Sequence, residues 1–319
     1  YMFLNIVFVR LDISQFFKSW RDLNYLLLVP AMLLTIISCV IQTFRWGVIL
    51  STINRFNFNQ LFPSVMIGHL SNHILPAKAG ELVKSYHLGK SYSISKISVL
   101  STVVIERIFD GILILSFLFL FIFGLNNVQT ELLLMGFIGV IIYGGAFSIA
   151  VIIFKFNDGI VTLSQSFLPQ RISDFIVKII RSSSEGLQII GNIKQMMRVM
   201  VSSILMWLII GASIIPIMLM FDFHLPLYAP FVVLACISLG LTIPSVPGGI
   251  GIISFATIFS MNILLKDMGY EITDIIYAKV VVFSILINIV LVVPEVILGT
   301  FFTIKTGSKL SSFFDEVST

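Results

Sequence analysis

The chain has 319 residues, of which 57% are hydrophobic and only 11% are charged, and its mean hydropathy is +1.04. A soluble globular domain is about 45–50% apolar and about 25% charged. The composition therefore excludes a soluble enzyme, a nucleic-acid-binding domain and a disordered chain. The net charge of +4 is typical of a membrane protein whose basic loops set its orientation. The sequence predicts a single all-α polytopic membrane domain over residues 1–319.

Long apolar runs predict about six membrane-spanning helices. Residues 1–10 are interpreted as the end of one span, and five further runs exceed the ~20 residues that a helix needs to cross the hydrocarbon layer. The runs lack the apolar–polar alternation of β-barrel strands, so helices are expected. The five runs cover 24–50, 97–123, 131–154, 199–221 and 274–304.

Two shorter regions predict re-entrant, broken helices. An apolar run at 61–75 precedes a polar stretch at 76–96, and Pro244–Gly251 separates the apolar runs 227–243 and 252–265. Segments of this length, interrupted by proline and glycine, are tolerated in a membrane where they line a cavity. Both regions are therefore candidate cavity walls.

Basic residues predict the orientation of the chain. They are concentrated in the segments 51–96 and 155–198 and in the C-terminal tail, whereas the links 124–130 and 222–226 contain no Lys or Arg. The positive-inside rule then places the basic segments and the C-terminus in the cytoplasm and the segment 11–23 outside. We expect a multi-pass protein of the cytoplasmic membrane.

With this orientation, the second half repeats the element order of the first with every direction reversed, which is an inverted-topology repeat. The first repeat is about 1–123 and the second about 131–304; the segment 155–198 is interpreted as an amphipathic linker on the inner leaflet. Each break has an aliphatic–proline pair with a glycine, Gly80 or Gly248, four residues after the proline. Broken helices related in this way meet near the bilayer midplane, where transporters bind substrates.

Polar groups around the two breaks are candidate substrate ligands. At the first break, Asn72 and the freed backbone could coordinate a polar head group, while Lys78 and Lys84 add positive charge beside Glu81; cytoplasmic topology is the alternative explanation for the lysines. At the second break, glycines leave N–H groups free at a positive helix end, which suits phosphate, and a structural kink is the alternative. The second-break candidates are Pro247, Gly248, Gly249 and Gly251.

Three charged residues, Glu106, Arg107 and Asp110, fall inside a predicted span. If the span starts near residue 97, Glu106 lies ~15 Å along the helix, close to the middle of the bilayer. A bare charge there costs about 2.5–3.5 kcal/mol. Arg107 and Asp110 are spaced i,i+3 and can pair, whereas Glu106 points to another face. The cluster is either an ion-pair lock between helices or a charged cavity wall with Arg107 on a lipid phosphate; both can hold.

Other polar residues in apolar runs lead to simpler expectations. His69 and His73 have the i,i+4 spacing of a metal-binding pair, but the sequence shows no third ligand near them, so we expect no metal site and no cofactor. Arg45 and Trp46 are expected to anchor a helix end at the membrane interface. Glu295 in the last span needs a partner, which the sequence does not identify.

Three motifs together resemble the membrane domain of lysylphosphatidylglycerol synthases, a flippase-like family whose archaeal branch includes proteins implicated in presenting dolichol-phosphate sugars. The resemblance extends from about Arg45 to Gly299, and two departures from the family pattern, Ser254 for a usual Glu and Ser284 for a usual Arg, suggest a removed ion pair. The motifs are Asn72-x-x-Leu75-Pro76-x-x-x-Gly80-Glu81, Glu106-Arg107-x-x-Asp110 and Pro247-Gly248-Gly249-x-Gly251.

The resemblance implies a lipid flippase that moves a phospholipid or a polyprenyl-phosphate-linked sugar. It does not imply aminoacyl transfer, because these residues include no polar domain of the kind that carries that activity, and we expect a transporter and not an enzyme. A glycosyltransferase or lipid-modifying enzyme is a possible partner. Two alternatives stay open: a secondary transporter of a small soluble substrate, and a membrane enzyme or partner acting on lipid-linked sugars.

Overall fold

The computed structural model describes residues 12–21, 23–75, 79–124, 130–167, 169–223, 225–242 and 249–307. Within these ranges the chain forms α-helices and two short 3-10 turns, with no β-strand. The α-helices are α1 (Ile13–Arg21), α2 (Leu28–Leu50), α3 (Phe58–Ile74), α4 (Gly80–Ser91), α5 (Lys96–Gly124), α6 (Thr130–Phe167), α7 (Gln170–Leu187), α8 (Ile193–Ala212), α9 (Ile215–Met220), α10 (Ala229–Gly240), α11 (Ile250–Asp267) and α12 (Asp274–Thr306).

Long apolar helices confirm the prediction of an all-α polytopic membrane protein. By length and composition, four of the described segments can cross a membrane: Tyr25–Leu50, Leu132–Phe167, Ile193–Met220 and Asp274–Thr306. Helix α5, with 29 residues, is also long and apolar, but it carries the three predicted charges in its first half. The predicted span at 1–10 lies outside the described residues, so the total of six spans stays a prediction.

Two helix boundaries differ from those expected from hydropathy. Helix α6 continues to Phe167 through a kink at Phe156 (φ −116°, ψ 22°), well beyond the predicted end at 154. Helix α8 begins at Ile193, where the Asn192 side chain accepts a hydrogen bond from the Gln195 N–H. Hydropathy marks where a helix leaves apolar surroundings, whereas backbone hydrogen bonding and caps determine where the helix ends.

The two regions predicted to be broken each form a pair of short helices. Helix α3 packs on α4, and α10 packs on α11. The breaks between them include Lys78, Pro247 and Gly248, which lie outside the described residues. The amphipathic helix α7 of the predicted linker packs on α5 and α6, and its Glu185 accepts a hydrogen bond from Ser98 Oγ at 2.7 Å.

The two halves have matching element orders and matching packing. Each half consists of a long helical segment, two short helices and a second long helix: α2–α3–α4–α5 in the first, and α8/α9–α10–α11–α12 in the second. The neighbours α3–α4, α4–α5 and α3–α12 correspond to α10–α11, α11–α12 and α10–α5 when the halves are exchanged. The element order and these neighbours thus recur in the two halves, and the inversion of one half relative to the other stays a prediction.

Candidate functional site

Arg45 on α2 lies at the centre of a buried charged cluster. Its side chain is 0% exposed, and its two terminal nitrogens donate to Asp110 Oδ1 and Oδ2 at 2.5 and 3.2 Å. The same guanidinium donates to Glu106 Oε1 at 3.1 Å, so the expectation that Glu106 points to another face than Asp110 is wrong: the two residues are spaced i,i+4 and share one face of α5. Bidentate contacts between a guanidinium and a carboxylate are the strongest form of ion pair in proteins. The expectation that Arg45 and Trp46 anchor an interface is wrong, because both are fully buried between helices.

Lys84 on α4 neutralises the second oxygen of Glu106. Its Nζ lies 2.5 Å from Glu106 Oε2 and 4.0 Å from the centre of the Trp46 ring, and its side chain is 3% exposed. The Trp46 indole N–H donates to Thr102 Oγ1 at 3.0 Å, which fixes the ring beneath the ammonium. Lys84 is therefore enclosed and paired, and it does not present its charge to the surface.

Arg107 occupies the open edge of the cluster. Its side chain is 45% exposed; it contacts Glu81 Oε1 on α4 at 2.6 Å and Asp110 Oδ2 at 3.5 Å, which is the predicted i,i+3 pair. The cluster thus contains three cations and three carboxylates, so their formal charges cancel. Among its cations, which are Arg45, Lys84 and Arg107, only the last is more than a few per cent exposed.

The second half of the chain contributes two groups that sequence reasoning missed. Ser203 Oγ on α8 accepts a hydrogen bond from Arg45 at 3.0 Å, and the Trp207 indole N–H donates to Asp110 Oδ1 at 2.9 Å. These residues are spaced i,i+4, so they share the face of α8 that packs on α2. The i,i+4 spacing of two hydrogen-bonding side chains in an apolar helix could have identified them, because such groups on one face indicate a polar neighbour.

Asn72 and Gly80 join the two helices of the first broken pair. The Asn72 side-chain oxygen accepts a hydrogen bond from the Gly80 N–H at 2.9 Å and so caps the start of α4. Helices α3 and α4 cross closely here, because a Cβ on Gly80 would meet the Gly68 carbonyl and the Asn72 side chain. The Asn72 oxygen that we expected to bind a head group is therefore engaged within the protein.

Within its described residues, the second broken pair shows no charged contact like that between Glu106 and Lys84. Gly249, which precedes α11, has a left-handed backbone (φ 57°), a conformation that glycine adopts without strain, and Gly251 lies within α11. The Asn288 side chain donates to Ser254 Oγ at 3.0 Å and to the Ser284 carbonyl at 2.9 Å. The Asn288 amide thus joins α12 to the Ser254 hydroxyl of α11, while the Ser284 hydroxyl donates to the Val281 carbonyl of its own helix.

A cavity of about 650 Å³ opens beside the C-terminal end of α2. It lies between α2, α3 and α8 and is lined by aromatic rings, by Arg55 and by Arg198. None of the predicted ligands that the structure describes lines this cavity. Its volume is within the range of about 300–1,000 Å³ that is usual for small-ligand sites.

Long apolar helices that enclose paired charges define a polytopic membrane protein with a polar centre, as expected for one that handles polar groups within a bilayer. The chain matches the family model described as the lysylphosphatidylglycerol synthase TM region over residues 2–299, and it belongs to this family.

One relative is the UPF0104 membrane protein MJ1595 of Methanocaldococcus jannaschii, which is 30% identical over 127 residues. The aligned part is 39% of this chain and 38% of the relative, so the match spans well under half of either protein. No solved structure matches this chain.

Proposed function

We propose that this protein is a flippase-like transporter that moves the head group of a phospholipid or of a polyprenyl-phosphate-linked sugar across the membrane. The observation that carries the proposal is the charge-balanced cluster between the helices, with Arg107 at its open edge. The family is named for a phospholipid synthase, which supports a lipid as the substrate. In this proposal the chain is a transporter and not an enzyme.

Arg107 can exchange its carboxylate partner for a phosphate. Its guanidinium now contacts Glu81 Oε1 at 2.6 Å, and two oxygens of a phosphate can accept paired hydrogen bonds from a guanidinium. A head group that replaces Glu81 would keep Arg107 neutralised, and Glu81 would return when the lipid leaves. Arg107 itself thereby avoids the cost of about 2.5–3.5 kcal/mol for an unpaired charge at membrane depth, whereas the displaced Glu81 carboxylate, whose side chain is 24% exposed, must be solvated while the lipid is bound.

Replacing Arg107 with alanine is expected to lower lipid transport about tenfold or more, because a hydrogen bond to a charged group contributes about 1.5–3 kcal/mol. Arg107→Lys should be intermediate, since an ammonium cannot make the paired contact. The assay follows a fluorescent anionic phospholipid across the bilayer of liposomes that contain purified protein. Arg171→Ala on α7 is the matched control. Equal rates for Arg107→Ala and the wild type would contradict the proposed role.

The cavity beside α2 is proposed as the entry point of the head group, on the cytoplasmic side in the predicted orientation. Its two arginines attract anions through solvent, and that attraction is screened by salt. The double variant Arg55→Ala/Arg198→Ala should therefore slow transport severalfold at low ionic strength and much less at high ionic strength. If the double variant transports lipid at the wild-type rate at every salt concentration, the head group does not enter through this cavity.

A further inference from the structure

A second polar cluster lies where α2, α3 and α12 pack on one another, and it is separate from the ion pairs of Arg45. Glu295 on α12 lies between the two histidines of α3: its Oε1 is 3.0 Å from His69 Nδ1, and its Oε2 is 2.7 Å from His73 Nε2. Cys39 on α2 approaches the same Oε1 at 4.0 Å. The tertiary structure thus brings a carboxylate and a thiol to the histidine pair, which the sequence alone does not place there.

The positions of these donor atoms match those of a metal site. Cys39 Sγ, one nitrogen of His69 and one oxygen of Glu295 lie within 4.8 Å of one another. In a tetrahedral zinc site with ordinary bond lengths, neighbouring ligand atoms are roughly 3.3–3.6 Å apart. The contacts of 3.0 and 4.0 Å bracket that spacing, and the third pair, Cys39 Sγ and the His69 nitrogen, lies within 4.8 Å.

Neighbouring side chains supply the hydrogen bonds that orient metal-bound ligands. His69 Nε2 lies 2.8 Å from Gln42 Oε1, so its N–H can donate there while Nδ1 faces the metal position. His73 contacts Oε2 and thereby leaves Oε1 turned toward Cys39 and His69. Gln42 and Cys39 are three residues apart on α2 and share one face of that helix.

The charges also favour a divalent ion. A Cys39 thiolate and the Glu295 carboxylate together carry two negative charges, and His69 binds a metal as a neutral imidazole. A divalent cation would therefore give a site of zero net charge, which is the form best tolerated among apolar helices. With His69 Nε2 keeping its proton toward Gln42, binding would release two protons to solvent: the Cys39 thiol proton and the proton between His69 Nδ1 and Glu295 Oε1, whose position the ion would take.

We propose that Cys39, His69 and Glu295 form a binding site for a divalent transition metal of the zinc class, with Gln42 and His73 as positioning residues. Sulfur, imidazole and carboxylate donors in one site suit Zn²⁺ and do not suit Mg²⁺ or Ca²⁺. The three ligands leave a fourth position for water or another donor. The ion would link α2 and α3 of the first half to α12 of the second.

Cobalt substitution tests the site with the purified full chain in detergent. Co²⁺ is added to metal-free protein, and its binding is followed by the near-ultraviolet charge-transfer band that a cobalt–thiolate bond produces. We expect one Co²⁺ per chain, displacement by Zn²⁺, and loss of the band in Cys39→Ser. The matched control is Cys236→Ser, because Cys236 is the other buried cysteine and lies on α10.

Variants of the ligands and of their hydrogen-bond partners distinguish a loss of metal binding from a loss of folding. His69→Asn and Glu295→Gln should abolish stoichiometric Co²⁺ binding. Gln42→Leu should weaken binding by about 10- to 100-fold, because it removes the hydrogen bond that orients the His69 ring. Size-exclusion chromatography of each variant shows whether it is folded, and His87→Gln serves as the histidine control. The proposal is overturned if wild-type protein binds no Co²⁺, or if the band is the same in wild-type and Cys39→Ser protein.

Discussion

Replacing Arg45 with alanine is expected to destabilise the folded protein by about 3–5 kcal/mol, the usual effect of removing one partner from a buried ion pair. The variant leaves Asp110 with Arg107 at 3.5 Å and the Trp207 N–H, and it leaves Glu106 with Lys84 alone. One negative charge would then be uncompensated in a site from which water is excluded. Denaturant unfolding in detergent micelles measures the difference in free energy.

Two further variants show whether the effect comes from charge. Arg55→Ala removes an exposed arginine just beyond the same helix and should change stability by less than about 0.5 kcal/mol. Arg45→Met combined with Asp110→Asn removes a cation and an anion together, so it should recover much of the loss. If Arg45→Ala unfolds at the wild-type denaturant concentration, the cluster does not stabilise the fold.

The second large effect is expected at Gly80, where α3 and α4 cross. A methyl group at this position would overlap the Gly68 backbone carbonyl, which cannot move without shifting a helix, and the Asn72 side-chain amide, which would have to leave its contact with the Gly80 N–H. Gly80→Ala should therefore cost about 1–3 kcal/mol, the usual range for overpacking. It should also weaken the Asn72 cap and displace Glu81 from Arg107, so transport should fall together with stability.

Gly144→Ala provides the matched control for this substitution. Gly144 lies within α6, and a Cβ there would meet no atom within 4 Å. Alanine is about 0.8–1.0 kcal/mol more favourable than glycine in a helix interior, so Gly144→Ala should raise the free energy of unfolding. Opposite signs in the two melting experiments are the expected result. A Gly80→Ala protein as stable as the wild type would mean that the two helices do not cross as closely as this.

Local patterns in the chain were sufficient to predict the helices and one contact of the site. The runs around α2 and α12 are apolar over the full thickness of a bilayer, so hydropathy alone identifies them. The Arg107–Asp110 contact follows from i,i+3 spacing, which is independent of the rest of the fold. Helix ends were less predictable, because capping and kinks do not depend on hydropathy.

The remaining contacts could not be predicted, because their partners are distant in sequence. Glu106 binds Lys84 from α4 and Arg45 from α2, and Arg45 was expected at an interface because its neighbour is a tryptophan near a helix end. Glu295 reaches His73, 222 residues earlier in the chain. No periodicity within one helix identifies the helix on which a partner lies.

The sequence by itself therefore determined that this is a membrane protein, where its helices approximately lie, and which few charged groups need a partner in an apolar medium. These properties depend on composition and on short-range spacing along one chain segment. Only the tertiary structure decided which cation meets which carboxylate, left Arg107 at the open edge, and brought Cys39, His69 and Glu295 together. Ion pairing and ligand geometry depend on distances of a few ångströms between side chains, and helix packing sets those distances.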